Sequence, residues 1–210
     1  LLGLEQSGLT RGQRYHFLAG WLPWLADGFN LGFNILAIGW SAAMVLMPDD
    51  VAPPPIVFAV LPLALFAFKV SKMFFLYRAR VEAGLRQSLA AGLAGLALSH
   101  VIARAMLTGF VTRSVGFFRT PKRAEAHGLL RALLDAREEL LFLTAMLLAA
   151  YAVLLREDGD LLDVRVWSAM LMIQAIPYAA AGLMSLISAA PRLPGAMVGP
   201  LRHLSHHQPG

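Results

Sequence analysis

Between Gly28 and Met47 twenty residues pass without a charged side chain. A helix of that length spans about 30 Å, the thickness of a bilayer's hydrocarbon core. Further apolar stretches run from Ile56 to Tyr77, from Glu139 or Leu140 to Leu155, and from Val166 to Ala189. They make the chain 58% hydrophobic and 15% charged, where ordinary soluble domains hold about 45–50% apolar and about 25% charged residues. A water-soluble globule of 210 residues cannot hide that much apolar surface. Composition therefore excludes a soluble enzyme domain and a disordered chain. It predicts an all-α membrane protein with four transmembrane helices.

The charges orient those helices. The net charge is +5, and Lys and Arg gather in the cytosolic loops of membrane proteins. That reading needs no nucleic-acid partner. Pro48–Pro55 and Arg156–Asp160 are short and acidic, which marks them as external. Of the 18 Lys and Arg, Arg156 and Arg165 alone fall on that side. Lys69 and Lys72 lie in the last third of the second span, within reach of the cytosolic headgroups by snorkelling.

Two segments are predicted as helices on the cytosolic side, the second of them interfacial or shallowly re-entrant. The first, 11–26, opens with Thr10 and Gln13 in capping-box spacing and carries Tyr15, Phe17, Trp21 and Trp24, rings suited to the headgroup region. It reads either as a surface helix or as an extension of the first span. The second, 84–112, is apolar over the 16 residues from Ser88 to Ala103. If it crossed, Arg113, Arg119, Lys122, Arg123, Arg131 and Arg137 would lie outside, against the positive-inside rule. The predicted layout is a surface helix at 1–27, a transmembrane hairpin at 28–77, a surface helix and loop at 78–137, a second hairpin at 138–190 and a cytosolic tail at 191–210.

Several polar groups stand out. Asp27, Asn30 and Asn34 share one helix face entering the first span. With Trp24 as a stacking platform they read as the lining of a polar path, or as interhelical hydrogen bonds that fix packing. His100 and Arg104, one turn apart, read as a wet face or a phosphate contact. Asp158 and Asp160 read as a solvated external turn. His203, His206 and His207 lie in a tail without neighbouring carboxylates, so no metal site is predicted. The chain has no cysteine, which removes disulfides and thiolate chemistry.

The most informative stretch is Phe117-Phe118-Arg119-Thr120-Pro121-Lys122. Thr120 as N-cap and Pro121 at the first helical position form a helix start. Free N–H groups there, with the Thr hydroxyl, Arg119 and Lys122, suit a diphosphate. An ordinary basic loop with Phe in the interface is the plainer reading. The stretch is similar to the Phe-x-Val-Thr-x-Lys gating-loop motif of bacterial cellulose synthase and related processive family 2 glycosyltransferases. Phe117, Thr120 and Lys122 fall on motif positions, and Arg119 stands where the cellulose enzymes have Val. Residues 13–24 resemble the membrane-surface segment after the catalytic domain of bacterial family 2 enzymes, particularly those similar to β-1,3-glucan synthases. The resemblance covers most of residues 10–190.

That resemblance implies a processive inverting transferase in a bacterial cytoplasmic membrane. A cytosolic catalytic domain preceding residue 1 would bind a nucleotide sugar with a divalent metal, Mg or Mn. The membrane helices would pass the growing polysaccharide outward. The gating loop (Phe117, Arg119, Thr120, Lys122) would close over the donor, excluding water. The family's catalytic Asp residues and its Gln-x-x-Arg-Trp motif are not in these residues, so this portion is expected to be inactive by itself, with no catalytic residue or cofactor of its own. The alternative is a small non-enzymatic membrane protein, a transporter or an assembly subunit. Pro62 and Pro177 would then be candidate helix breaks.

Overall fold

The computed structural model describes residues 10–81, 83–112, 129–156 and 161–189, and these form eight α-helices with no strand among them. Helix α1 runs unbroken from Arg11 to Leu46, 36 residues, or about 54 Å. Thr10 caps it as its spacing predicts. The Thr10 hydroxyl accepts from the Gln13 N–H, and the Gln13 side chain accepts from the Thr10 N–H at 2.9 Å.

The boundary at 27/28 read from the sequence has no counterpart in the backbone, since Asp27 and Gly28 lie mid-helix and Pro23 is accommodated within it. The division reappears in the packing. Up to Ala26 the helix buries nothing and exposes Tyr15, Phe17, Trp21 and Trp24. From Asp27 onward a single face is buried: Asp27, Leu31, Asn34, Ala37, Ser41 and Met44. Steps of three and four residues are the repeat of a helix with one packed stripe.

Helix α2 (Ile56–Arg80) returns after the turn at Pro48–Asp50 and carries Pro62 without interruption. It is peripheral, with Ala59 buried and Val57, Phe58, Leu61, Leu65, Phe68 and Phe75 exposed. Such a row of large apolar side chains faces lipid. Helices α3 (Leu85–Ala97) and α4 (Ser99–Val111) meet at Leu98. α3 packs on α2 and α8, and α4 packs on α1. Small residues permit the close approaches: Gly92 and Gly95 lie against Met73, and Gly28 against Met106.

Helices α5 (Leu129–Asp135) and α6 (Arg137–Leu154) follow, then α7 (Leu162–Gln174) and α8 (Ile176–Ala189). The α7/α8 junction at Ala175 has a local cause. Pro177 lacks the N–H that would continue the ladder. The core lies where α1, α6, α7 and α8 meet, around Met44, Met146, Val153, Val164, Trp167, Met170, Leu171 and Tyr178.

Four helical stretches among the described residues are long and apolar enough to cross a membrane: Arg11–Leu46, Ile56–Ala79, Leu85–Val111 and Leu162–Ala189. By length and apolar character alone 84–112 joins this set and α6 does not. The 84–112 segment, kept on the cytosolic side by the positive-inside rule, is helical over 27 residues. It buries Ser88, Leu96, Ser99, His100 and Ala103 against its neighbours. Helix α6, read as the third span, opens with Arg137, Glu138 and Glu139, so its 18 residues are too charged to qualify. It nevertheless packs on α1, α7 and α8 in the centre of the bundle.

Candidate functional site

The buried face of α1 carries a ladder of polar groups, and nearly every rung has a partner on another helix. At Asp27, the α2 residue Lys69 makes a close ion pair with the carboxylate, and its ammonium also donates to Ser99 Oγ on α4 at 2.8 Å. One turn up, Gln174 donates to Asn30 Oδ1 at 3.0 Å. Next, Asn34, 1% exposed, donates to the Tyr178 hydroxyl at 3.0 Å. Higher still, the Trp167 indole donates to Ser41 Oγ at 2.9 Å, and Ser41 donates to the Ala37 carbonyl. At the outer end the Arg156 guanidinium reaches the carbonyls of Met44 and Pro48. A cation on the last carbonyls of a helix satisfies acceptors that have no intrahelical donor. This accounts for a basic residue in an otherwise acidic loop.

A second polar group sits at the start of α6. Arg104 pairs closely with Glu138, and His100 Nε2 lies 3.6 Å from the same carboxylate oxygen. The His100 ring packs edge-on against Tyr178, with Phe142 stacked on Tyr178 at 5.2 Å between centroids. Both ring nitrogens of His100 are buried without a hydrogen-bond partner, as are Asn34 Oδ1 and Gln174 Oε1.

Two spaces adjoin these groups, and His100 lines both. A cleft of about 510 Å³ is bounded by Val101, Arg104, Leu134, Asp135, Arg137, Glu138 and Glu139. A small pocket of about 10 Å³ lies among Asp27, Asn30, Ser99, Ala103 and Tyr178. That is room for about one water molecule.

The structure thus brings Asp27, Asn30 and Asn34 to one buried face, as their spacing predicts, and engages all three in interhelical contacts. The cavity beside them does not admit a sugar ring. Trp24 is exposed one turn before Asp27, on the part of α1 that buries nothing. His100 and Arg104 do not form a common wet face, because His100 is buried and Arg104 exposed. Lys69, read as snorkelling outward, turns inward to Asp27, whereas Lys72 is exposed. Gln174, Tyr178 and Glu139 escaped the sequence reading. A Gln and a Glu inside or beside an apolar run were the available signals.

Phe117, Arg119, Thr120 and Lys122 lie outside the described residues, as do Asp158, Asp160 and the tail histidines. Among the described residues no three His, Asp or Glu side chains converge as metal ligands. The divalent ion implied by the resemblance therefore finds no holder among them. No protein-family model, curated protein or solved structure matches the chain. Fold and site together define an all-α polytopic membrane protein whose interior is organised around paired polar side chains.

Proposed function

We propose that these residues are the membrane portion of a processive family 2 glycosyltransferase of a bacterial cytoplasmic membrane. It polymerises sugar from a nucleotide-sugar donor into a polysaccharide, of the β-glucan class by resemblance, and passes the polymer across the bilayer. The observation that carries the reading is the Phe117–Lys122 stretch in its place in the chain. It follows α1, the acidic turn, α2 and the α3–α4 pair, and it precedes the remaining membrane helices. The exposed aromatic section of α1 before Asp27 supports the reading too, because an interfacial segment is what joins a cytosolic domain to the first span.

In this reading Thr120 and Lys122 meet the donor diphosphate through a hydroxyl and an ammonium. Phe117 and Arg119 close the loop over the nucleotide. The partners are the lipid bilayer, a catalytic domain, a nucleotide sugar with its divalent metal, and the growing polysaccharide.

The test uses the complete reading frame that contains these residues, expressed in membranes. Labelled nucleotide sugars are supplied and ethanol-insoluble polymer is counted. Incorporation is expected, and Lys122→Ala should cut it at least about tenfold, the loss of one charge-assisted contact of about 1.5–3 kcal/mol, at unchanged protein level. Absence of incorporation from any nucleotide sugar, or full activity in Lys122→Ala, refutes the proposal and leaves the transporter or assembly-subunit reading.

A further inference from the structure

We propose that α1 and α2, on the cytosolic side of the Asp27–Lys69 pair, bind an anionic phospholipid of that leaflet, with its headgroup at Trp24 and Lys72. The inference is independent of the transferase reading, because it needs only the membrane frame and the placement of two helices.

Register comes first. α1 and α2 run antiparallel across the turn at Pro48–Asp50, and the ion pair between Asp27 and Lys69 fixes their relative height. Trp24 precedes Asp27 and Lys72 follows Lys69, so both lie nearer the cytosolic side, each by about 4.5 Å. Trp21 lies one turn further along α1. At the outer end Trp40 is exposed, and its indole donates to the Ala52 carbonyl at 3.3 Å. Along the helix Trp40 stands about 24 Å from Trp24 and about 28 Å from Trp21, close to the thickness of the hydrocarbon core. Exposed indoles with this separation mark the two headgroup regions.

The surface around Trp24 and Lys72 is open. Residues 11–26 of α1 and 70–79 of α2 include no buried side chain. α1 packs on α4 and α6, α2 packs on α3 and α7, and the two do not pack along one another. The Lys72 ammonium and the Trp24 indole N–H have no hydrogen-bond or ion-pair partner among the described residues. Neither stretch contains Asp or Glu, and together they carry Arg11, Arg14, Lys72 and Arg78.

Donors and cations without a carboxylate are complementary to an anion. A second copy of the chain applied through the same face would bring like charges together, which is costly. A soluble anion makes no use of the apolar flanks. A phospholipid uses both parts. Its phosphate accepts from the ammonium and the indole, and Lys72 reaches it by extending its stem toward the headgroups. Its acyl chains run outward beside Phe29 on α1 and Phe68 on α2, both largely exposed. The cation makes a net negative headgroup the preferred one over a zwitterionic headgroup.

The test reads Trp24 in the full chain. Trp21→Phe and Trp40→Phe, both at exposed positions, leave Trp24 and the buried Trp167 as the indoles. A third variant that also lacks Trp24 supplies the Trp167 background. Each protein is placed in phosphatidylcholine nanodiscs doped with equal small fractions of dibrominated phosphatidylglycerol or dibrominated phosphatidylcholine, whose bromines quench nearby indoles. Quenching of Trp24 should show a preference of about fivefold for the phosphatidylglycerol. Lys72→Gln should bring that preference close to one and leave quenching by phosphatidylcholine unchanged. Equal quenching by the two lipids, or a preference unmoved by Lys72→Gln, overturns the anionic site. Absence of quenching by either lipid overturns the lipid-facing surface itself and assigns its cover to protein.

Discussion

Lys69→Met takes away the cation that Asp27 pairs with in the interior. The two partners are unequally buried: the Asp27 side chain is 10% exposed and that of Lys69 is 36% exposed. Removing one partner of a fully buried pair costs about 3–5 kcal/mol, whereas a solvent-exposed pair contributes about 0–1 kcal/mol. This pair lies between the limits and nearer the buried one, so Lys69→Met should cost about 2–3 kcal/mol. The reciprocal change is milder. Asp27→Asn keeps a side chain of the same shape, and Lys69 retains Ser99 Oγ at 2.8 Å and a stem long enough to reach headgroups. Its cost should be about 1 kcal/mol. The double variant should resemble Asp27→Asn alone, a coupling of about 2–3 kcal/mol. The assay is titration of detergent-solubilised full-length chain with a denaturing detergent, followed by the fluorescence of its four tryptophans. Single-variant costs that add in the double variant to within about 0.5 kcal/mol would show that the pair contributes nothing, and equal costs for the two single variants would refute the asymmetry.

Two further outcomes use the same titration. Trp167→Phe removes the indole donor to Ser41 while Ser41 keeps its bond to the Ala37 carbonyl; it should cost about 1–2 kcal/mol, and an unchanged midpoint would show that the bond is idle. At Gly95 an added Cβ would come 2.9 Å from Met73 Sδ. A thioether near the end of a flexible chain can move aside, so Gly95→Ala should cost less than about 1 kcal/mol and the bulkier Gly95→Val about 1–3 kcal/mol. Met73→Ala should relieve the Val variant in part; a larger combined loss would place the strain elsewhere.

Much of the molecule is legible along the chain because the bilayer is an undemanding reader. A run such as 28–47 must be helical in lipid whatever it touches, since every backbone polar group needs an internal partner. The Thr10–Gln13 cap is equally local. Its two partners sit three residues apart, and the structure forms both bonds. The shared face of Asp27, Asn30 and Asn34 follows from helical periodicity alone.

Partners across helices are another matter. Nothing in the neighbourhood of Lys69 distinguishes a side chain that snorkels from one that turns inward. That depends on Asp27, 42 residues earlier, facing the same interior. His100 next to Arg104 reads as a wet pair until α6 brings Glu138 between them and α8 covers the ring with Tyr178. The basic residues after 112 keep the 84–112 segment on the cytosolic side in the sequence, and they say nothing of its backbone, which is helical over 27 residues.

The sequence by itself determined that the chain is a set of membrane helices, where α1 is capped, and which residues share its polar face. Those properties depend on neighbours within a few turns. Only the tertiary structure decided which polar groups meet, because a hydrogen bond or ion pair of about 3 Å between residues as much as 144 positions apart is fixed by how the helices pack, and helix packing is a property of all of them at once.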